Sequence, residues 1–152
     1  MDPRASVEID APLDEVWAVM LDTASYAAWN PFVVRAECAS PPRVGDPIVL
    51  HVRWATGRGT TSPERISVIE DPHDDGKGVR RATLAYVYEG LPAKLGLVRG
   101  TRFQRLAQEP GGPTRYDTVE EFSGPLVRLA GPGRVQDGFR RHAEALKRRC
   151  EP

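Results

Sequence analysis

Two prolines divide the first third of the chain into one short strand and two short helices. Residues 4–10 alternate polar and apolar side chains, which is typical of a strand. Pro12 suits the first turn of a helix, where its missing N–H removes no hydrogen bond. The helix that follows carries an apolar stripe at helical spacing, formed by Leu13, Val16, Trp17, Met20 and Leu21. Residues 25–29 predict a second short helix, which ends before Pro31 because proline disfavours helical geometry at the preceding residue.

After the second proline the apolar residues recur at a period of two, which predicts β-strands. The expected strands are 34–38, 48–54, 65–70, 80–88, 99–108 and 114–122. Polar or Gly/Pro-rich connections are expected at 41–46, 56–62, 71–76, 90–97 and 110–113. Together with residues 4–10, the pattern therefore predicts seven strands.

The last segment returns to the helical period. Its apolar stripe consists of Val135, Phe139, Ala143, Leu146 and Cys150. The segment 131–133, which reads GPG, marks the start of this helix. The sequence thus predicts one long C-terminal helix with one apolar face.

The order of these elements resembles the START-like superfamily, also called SRPBCC or the helix-grip fold, and within it the polyketide cyclase/dehydratase-like branch. Residues 98–103 (VRGTRF) resemble the glycine-led sixth strand of that family, and residues 120–124 (EEFSG) resemble its Glu-x-Phe-x-Gly strand end. Relatives often have a histidine just after the strand-six glycine. This chain has Thr101 and Arg102 there, so no role of that histidine is transferred.

The resemblance implies an α+β helix-grip fold. In it, a curved seven-stranded antiparallel sheet wraps around the long C-terminal helix, and two short helices follow strand 1. The 152 residues are expected to form a single START-like (SRPBCC) domain spanning 1–152, which is long enough to bury a sizeable core.

Charge and hydropathy exclude some classes of partner. Lys and Arg number 21, as do Asp and Glu, so the formal net charge is zero and a general polyanion binder, hence a nucleic-acid partner, is not expected. No apolar run approaches the ~20 residues of a membrane span, and the first strand begins too early to leave room for a signal peptide. We therefore expect a cytoplasmic protein without a membrane span. The pattern does not indicate an oligomeric state.

The sequence carries no motif for a metal or a cofactor, and we expect neither. Cys38 and Cys150 stand far apart without metal-ligand spacing and are interpreted as free thiols. His51, His73 and His142 are expected at the surface or at the edge of packed regions, where they would not form a site.

A curved sheet that holds a helix off its concave face leaves space for a small molecule, and such pockets are mostly apolar. Strand parity and the aromatic residues supply candidate ligand-binding residues, each of which could instead be ordinary core. They are Trp29, Leu50, Val52, Trp54, Leu84, Tyr86, Tyr88, Phe103, Tyr116, Thr118, Glu120, Phe122 and Phe139. The loop 90–97 is expected to edge the entrance, because Gly- and Pro-containing loops pack little.

Glu120 is the one candidate catalytic residue. It shares a strand face with Phe122, which predicts that its carboxylate points inward. A buried carboxylate must be paired, hydrogen-bonded or protonated. Glu120 therefore either serves a ligand or a reaction as an acid or base, or forms a structural ion pair with Arg105 or Arg80.

Three functions fit these expectations. The first is binding of a hydrophobic small molecule, lipid-like or polyketide-like, in a cavity between the sheet and the C-terminal helix. The second is an enzyme of the cyclase/dehydratase type acting on a polyketide-like substrate. The third is a stress-related protein-interaction domain without a ligand, which a tightly packed interior would favour.

Overall fold

The computed structural model describes residues 2–152 and contains one seven-stranded antiparallel sheet. The strands are β1 (Arg4–Ile9), β2 (Val33–Glu37), β3 (Pro47–Arg53), β4 (Gly59–Asp74), β5 (Arg80–Tyr88), β6 (Arg99–Gln108) and β7 (Thr114–Ser123). The helices are α1 (Leu13–Leu21), α2 (Leu91–Lys94) and α3 (Pro132–Cys150), and two 3₁₀ helices cover Thr23–Ala28 and Val127–Ala130. The predicted α+β helix-grip fold is confirmed.

The first strand, β1, lies at one edge of the sheet, and the last strand, β7, pairs with it. The strand order is β1-β7-β6-β5-β4-β3-β2, and every neighbouring pair is antiparallel. Strands β2 to β7 follow one another as hairpin neighbours, whereas β1 pairs with β7. Helix α1 and the 3₁₀ helix after it carry the chain across to the far edge, and α3 then packs against β1 and α1.

Helix α3 buries the predicted stripe against the sheet. Val135, Phe139, Ala143 and Leu146 belong to one core cluster with residues of the sheet and of α1. Gly138 lets α3 approach the ring of Phe32, because a Cβ at this position would lie 2.2 Å from that ring. No helix within residues 2–152 is both long enough and apolar enough to cross a membrane.

Strand β4 is longer than the predicted 65–70. Thr60, Thr61 and Ser62, expected in a connection, pair with β3 residues instead. The expected turn at 71–76 is also partly wrong, because β4 continues to Asp74 across a register shift between Glu70 and His73. Pairing with β3 at one end of β4 and with β5 at the other therefore outweighs the local turn preference of this polar sequence.

Two smaller features also differ from the sequence expectation. The buried residues of β2 are Val33 and Ala36, because a register shift between Val33 and Arg35 interrupts the alternation that the sequence suggests. The loop 90–97 contains the short helix α2, and the 3₁₀ helix before α3 has no counterpart in the prediction.

Phe139 tests the packing of α3 on the sheet. The residue is 2% exposed, and its ring lies edge-on to Phe32 with the centroids 5.9 Å apart. Phe139→Ala is expected to lower the free energy of unfolding by about 3–5 kcal/mol, the usual loss for a buried aromatic residue. Chemical denaturation measures this loss. The control Arg148→Ala, on the exposed face of α3, should change the value by less than ~0.5 kcal/mol. Equal, small losses for both variants would contradict the described packing.

Candidate ligand-binding cavity

A cavity of about 410 Å³ lies between the concave face of the sheet and α3. Its wall combines residues of β3, β4, β5, β6 and β7 with residues of α3 and the two segments that flank the entrance. Most of the wall is apolar, and the charged side chains on it include Arg102, Glu64 and Glu120. The cavity therefore has an apolar body with a small number of strongly polar groups.

Eight of the thirteen candidate ligand-binding residues lie on the wall of this cavity. They are Leu50, Val52, Trp54, Tyr86, Tyr88, Glu120, Phe122 and Phe139. Strand alternation places Leu50 and Val52 of β3, Tyr86 and Tyr88 of β5, and Glu120 and Phe122 of β7 there, since every second side chain points to the concave face. Trp54 follows β3, and Phe139 comes from α3.

The remaining five candidates do not lie on the cavity wall. They are Trp29, Leu84, Phe103, Tyr116 and Thr118. Trp29 packs edge-on against Tyr26 and His142, with ring centroids 5.4 Å and 5.6 Å away. Leu84 belongs to the hydrophobic core. Tyr116 and Thr118 are buried behind the wall, where they contact Arg102.

The expected inward orientation of Phe103 is wrong. The buried face of β6 is formed by Gly100, Arg102 and Gln104, so Phe103 points to the opposite face. On that face, the guanidinium of Arg105 lies 4.3 Å from the centroid of the Phe103 ring. The polar residues Arg102 and Gln104 face the interior while the aromatic Phe103 faces outward, and this local inversion of the usual pattern misleads an assignment based on hydrophobicity.

Neither expected ion-pair partner of Glu120 contacts it. Arg105 points away from the cavity, as Phe103 does. Arg80 forms a surface ion pair with Asp14, in which Nε donates a hydrogen bond to Oδ1 at 2.8 Å. The cross-strand neighbour of Glu120 in the β6–β7 register is Arg102. The arginine paired in register with Glu120 is therefore Arg102, which stands where this sequence departs from the family pattern.

Arg102 forms the centre of a buried hydrogen-bond network. The side chain is 2% exposed. Its Nε donates to Thr118 Oγ1 at 2.9 Å, its Nη1 to Tyr86 Oη at 3.1 Å, and its Nη2 to Tyr116 Oη at 3.3 Å. Nη2 also lies 3.3 Å from His142 Nδ1. All four partners are uncharged or neutral groups, so the network satisfies the donors of the guanidinium without neutralising its charge.

The prediction that His142 lies at the surface or at an edge is wrong. The residue is 1% exposed, and its ring stacks on Tyr116 with the centroids 6.2 Å apart. Burial, together with the charge of Arg102, lowers the pKa of His142 well below its usual range. The signal in the sequence is the spacing: His142 stands three residues after Phe139, on the same helical face.

Asn30 connects this network to the start of β2. Its Oδ1 accepts hydrogen bonds from the backbone N–H groups of Phe32 and Val33 at 3.0 Å and 2.9 Å. Its Nδ2 lies 3.3 Å from His142 Nδ1. Since Arg102 can only donate to that nitrogen, the imidazole accepts there, in agreement with a neutral ring.

Two carboxyl groups face the cavity: that of the buried Glu64, which was not among the candidates, and that of the partly buried Glu120. Ser62 Oγ donates to Glu64 Oε2 at 2.6 Å, whereas Glu64 Oε1 and Glu120 Oε2 have no hydrogen-bond partner within residues 2–152. Burial, with the nearby charge of Glu120, raises the pKa of Glu64 to about 8. Burial raises the pKa of Glu120 to about 7, while the charge of Arg102 acts in the opposite direction.

Gly100 makes room for the Glu120 carboxyl group. A Cβ at residue 100 would lie 2.9 Å from Glu120 Oε2 and 3.1 Å from the ring of Phe122. The glycine at the start of β6 therefore leaves the space that these two inward side chains of β7 fill.

Two wall segments at the expected entrance, residues 92–97 and 126–130, are hydrogen-bonded to each other. The N–H of Leu126 donates to the carbonyl of Leu97 at 3.0 Å. Gly124, at φ 113°, lets this carbonyl approach, because a Cβ there would lie 2.5 Å from the oxygen. Close to the entrance, the guanidinium of Arg134 lies 4.1 Å from the Trp54 ring centroid. The wall residues of the two segments are Pro92, Leu97, Leu126, Leu129 and Ala130.

No group of three or more His, Cys, Asp or Glu side chains that could hold a metal ion occurs within residues 2–152. The polar groups on the cavity wall include the guanidinium groups of Arg102 and Arg134, the carboxyl groups of Glu64 and Glu120, and several hydroxyls. These groups can bind, orient and exchange protons with a ligand.

Nearly the whole chain matches a protein-family model. Residues 3–151 match the family described as polyketide cyclase/dehydrase and lipid transport. No curated protein sequence matches the chain significantly.

Solved structures with the same fold include proteins with several descriptions. The Zhui aromatase/cyclase from Streptomyces sp. R1128 is 20% identical, with 99% of this chain and 93% of that chain covered and a TM-score of 0.71. Ginseng major latex-like protein 151 from Panax ginseng is 10% identical, with 100% and 98% covered and a TM-score of 0.69.

The di-domain aromatase/cyclase BexL of the BE-7585A biosynthetic pathway is similar over all of this chain. The identity is 17% and the TM-score 0.71, and this chain covers 50% of that protein. The chain thus spans about half the length of this di-domain relative. At these identities the three structures establish the fold alone.

The raised carboxyl pKa values predict the direction in which stability depends on pH. A carboxyl group with a raised pKa in the folded state contributes stability at low pH that is lost as the pH rises through that pKa. This loss extends from the ordinary carboxyl pKa of 4.5 to the raised values of about 7 and about 8. Between pH ~6.5, where an unfolded histidine becomes neutral, and pH ~8 the free energy of unfolding should therefore fall, with a slope of up to about 1.4 kcal/mol per pH unit for each proton involved. Denaturant titrations at several pH values measure this slope.

Glu64→Gln should reduce that slope, because it removes the carboxyl group with the higher pKa. The control is Glu121→Gln, an exposed neighbour on β7 that should keep the wild-type slope. Below this pH window the buried His142, whose pKa is lowered, contributes a slope of the opposite sign. Identical slopes for wild type and Glu64→Gln would show that Glu64 is ionised throughout.

Proposed function

Because the chain belongs to the polyketide cyclase/dehydrase and lipid transport family, we propose that it binds a hydrophobic small molecule, lipid-like or polyketide-like, in the cavity between the sheet and α3. The observation that carries this proposal is the cavity itself, which is about 410 Å³ in volume and has a mostly apolar wall. Ligand pockets in proteins span roughly 300–1,000 Å³ and combine apolar walls with a few polar groups.

The character of the wall supports a flat or elongated apolar ligand. Aromatic rings of Trp54, Tyr86, Phe122 and Phe139 lie on it together with aliphatic residues of β3. Aromatic side chains provide large apolar contact areas and stack on planar groups. The polar groups are concentrated on strands β4, β6 and β7, so a ligand with one polar end is favoured over a uniformly apolar one.

A second candidate function is a cyclase or dehydratase reaction on a polyketide-like chain. The observation that favours it is the pair of cavity-facing carboxyl groups, Glu64 and Glu120, whose pKa values are raised to about 8 and about 7. Groups that titrate near neutral pH are suited to general acid–base catalysis. A cavity that folds a reactive chain would add the effect of positioning.

The third function considered for this fold, protein interaction without a ligand, gains no support. A tightly packed interior would have favoured it, and the interior contains the cavity described above.

A matched pair of variants in β3 tests the binding function. Val52 lies on the cavity wall, whereas Val49 points to the other face of the same strand. The probe is N-phenyl-1-naphthylamine, an uncharged hydrophobic dye whose emission rises in an apolar site. Val52→Phe should weaken dye binding by about tenfold or more, because the added ring occupies cavity space. Val49→Phe should leave the affinity within about twofold of wild type.

Two results would contradict the binding function. One is the absence of saturable dye binding to the folded wild-type protein. The other is an equal loss of affinity in Val52→Phe and Val49→Phe, since binding would then depend on general stability and not on the cavity. Native mass spectrometry of protein purified from its source would in addition reveal a co-purified small molecule.

The two candidate functions differ in what happens to a bound chain. If the cavity only binds, a polyketide-like probe is recovered with unchanged mass. If the protein is a dehydratase, the probe loses water, and Glu120→Gln should slow that loss more than it weakens binding, because the proton-transferring group is removed while its shape is kept.

A further inference from the structure

We propose that the polar end of the cavity, formed by Arg102, Glu64 and Glu120, is a binding site for a carboxylate. The favoured ligand is then a hydrophobic carboxylic acid, bound in its ionised form with its apolar part along the aromatic wall. This inference rests on the proposed binding function, because it assigns the chemistry recognised at one end of the same cavity.

The first argument is a buried positive charge without a counter-charge in contact. Arg102 lies on the cavity wall, and its hydrogen-bond partners are Thr118, Tyr86, Tyr116 and His142. Within residues 2–152 no carboxylate oxygen lies within 4.0 Å of its guanidinium nitrogens. A buried charge that lacks an opposite charge is strongly unfavourable. An anionic group entering the cavity would therefore gain from the guanidinium without first displacing an ion-pair partner.

The second argument is the presence of two carboxyl oxygens without partners at the same end of the cavity. Glu64 is 7% exposed, and its Oε1 and the Oε2 of Glu120 are buried without a hydrogen-bond partner in the described chain. When protonated, a carboxyl group donates one hydrogen bond. Two such donors match the two oxygen atoms of a carboxylate, and hydrogen bonds to a charged group are the stronger kind.

The protonation states favour this arrangement near neutral pH. The pKa values of about 8 for Glu64 and about 7 for Glu120 mean that both groups carry protons at and below pH 6. Arg102 remains charged at every pH of interest. The polar end then has one net positive charge, which suits an anion and disfavours an ammonium group.

The surrounding groups do not reverse the positive charge of the polar end. The other titratable groups near the two carboxyls or Arg102 are Asp2, Tyr26, Tyr86, Tyr88, Glu89, Tyr116, Arg134 and His142. Burial raises the pKa values of Tyr26 and Tyr116, so these two phenols are neutral. The charges of Asp2 and Glu89 contribute to the raised pKa values of Glu120 and Glu64. Burial raises the pKa of Tyr86 to about 12 and lowers that of His142, so both side chains are neutral. Arg134 adds positive charge near the entrance.

Three naphthalene probes that differ in one substituent test the inference. They are 2-naphthoic acid, 2-naphthamide and 2-(aminomethyl)naphthalene, which present a carboxylate, a neutral amide and an ammonium group on the same apolar body. Isothermal titration calorimetry between pH 6 and pH 9 gives their affinities. At pH 6 the acid should bind at least about tenfold more tightly than the amide, the difference expected for charge-assisted hydrogen bonds.

The pH dependence provides a second readout. Binding of a carboxylate favours the protonated forms of Glu64 and Glu120, so the affinity for 2-naphthoic acid should be lost as the pH rises through 7 to 8. Above that range the expected decrease is about tenfold per pH unit for each proton taken up. Calorimetry in two buffers of different ionisation enthalpy should show proton uptake on binding at pH 8.

Glutamine variants of the two glutamates identify the groups responsible. Glu64→Gln and Glu120→Gln keep a hydrogen-bond donor but cannot titrate, so each should reduce proton uptake and flatten the pH dependence while retaining acid binding at pH 6. Glu121→Gln, on the exposed face of β7, should behave as wild type. Arg102→Gln, if folded by circular dichroism, should lose the preference for the acid over the amide.

The outcomes separate this inference from the proposed function. Equal affinities for acid and amide at every pH, preference for the ammonium probe at pH 6, or unchanged proton uptake in both glutamine variants would overturn the carboxylate site and leave cavity binding intact. If neither the three probes nor N-phenyl-1-naphthylamine binds to the folded protein, the binding function itself fails.

Discussion

The buried guanidinium of Arg102 connects most of the parts that form the cavity. Its hydrogen bonds reach β5 through Tyr86, β7 through Thr118 and α3 through His142, while its own backbone belongs to β6. The guanidinium also lies 4.1 Å from the centroid of the Phe139 ring. A buried charge is tolerated only when its donors are satisfied, so the positions of these strands and of α3 are coupled to one side chain.

Burial, opposed by this single charge, determines the protonation of the carboxyl groups in the interior. Burial raises the pKa values of Glu64 and Glu120, and Arg102 opposes the rise for both groups without forming an ion pair with either. The result is a pair of carboxyl groups that titrate near neutral pH inside an apolar cavity. The proposed binding of a polar ligand end, the proposed proton transfer and the expected pH dependence of stability therefore all involve the same small set of residues.

Close approaches at glycine shape the space around this set. Gly100 leaves room for the carboxyl group of Glu120, Gly138 lets Phe32 pack on α3, and Gly124 admits the carbonyl of Leu97 between the two entrance segments. At each of these positions any side chain would collide with a neighbour. The cavity thus depends on these glycines as much as on the residues that line its wall.

The sequence by itself determined the order and type of the main elements, because apolar periodicity and proline positions report directly on local geometry. It also oriented β3 and β7, whose inward faces carry Val52 and Glu120 as parity predicts. Only the tertiary structure decided the burial of Arg102 on β6 and of His142 on α3. These two residues are buried against the hydrophobic pattern, because their partners come from residues distant in the chain and satisfy them only after folding.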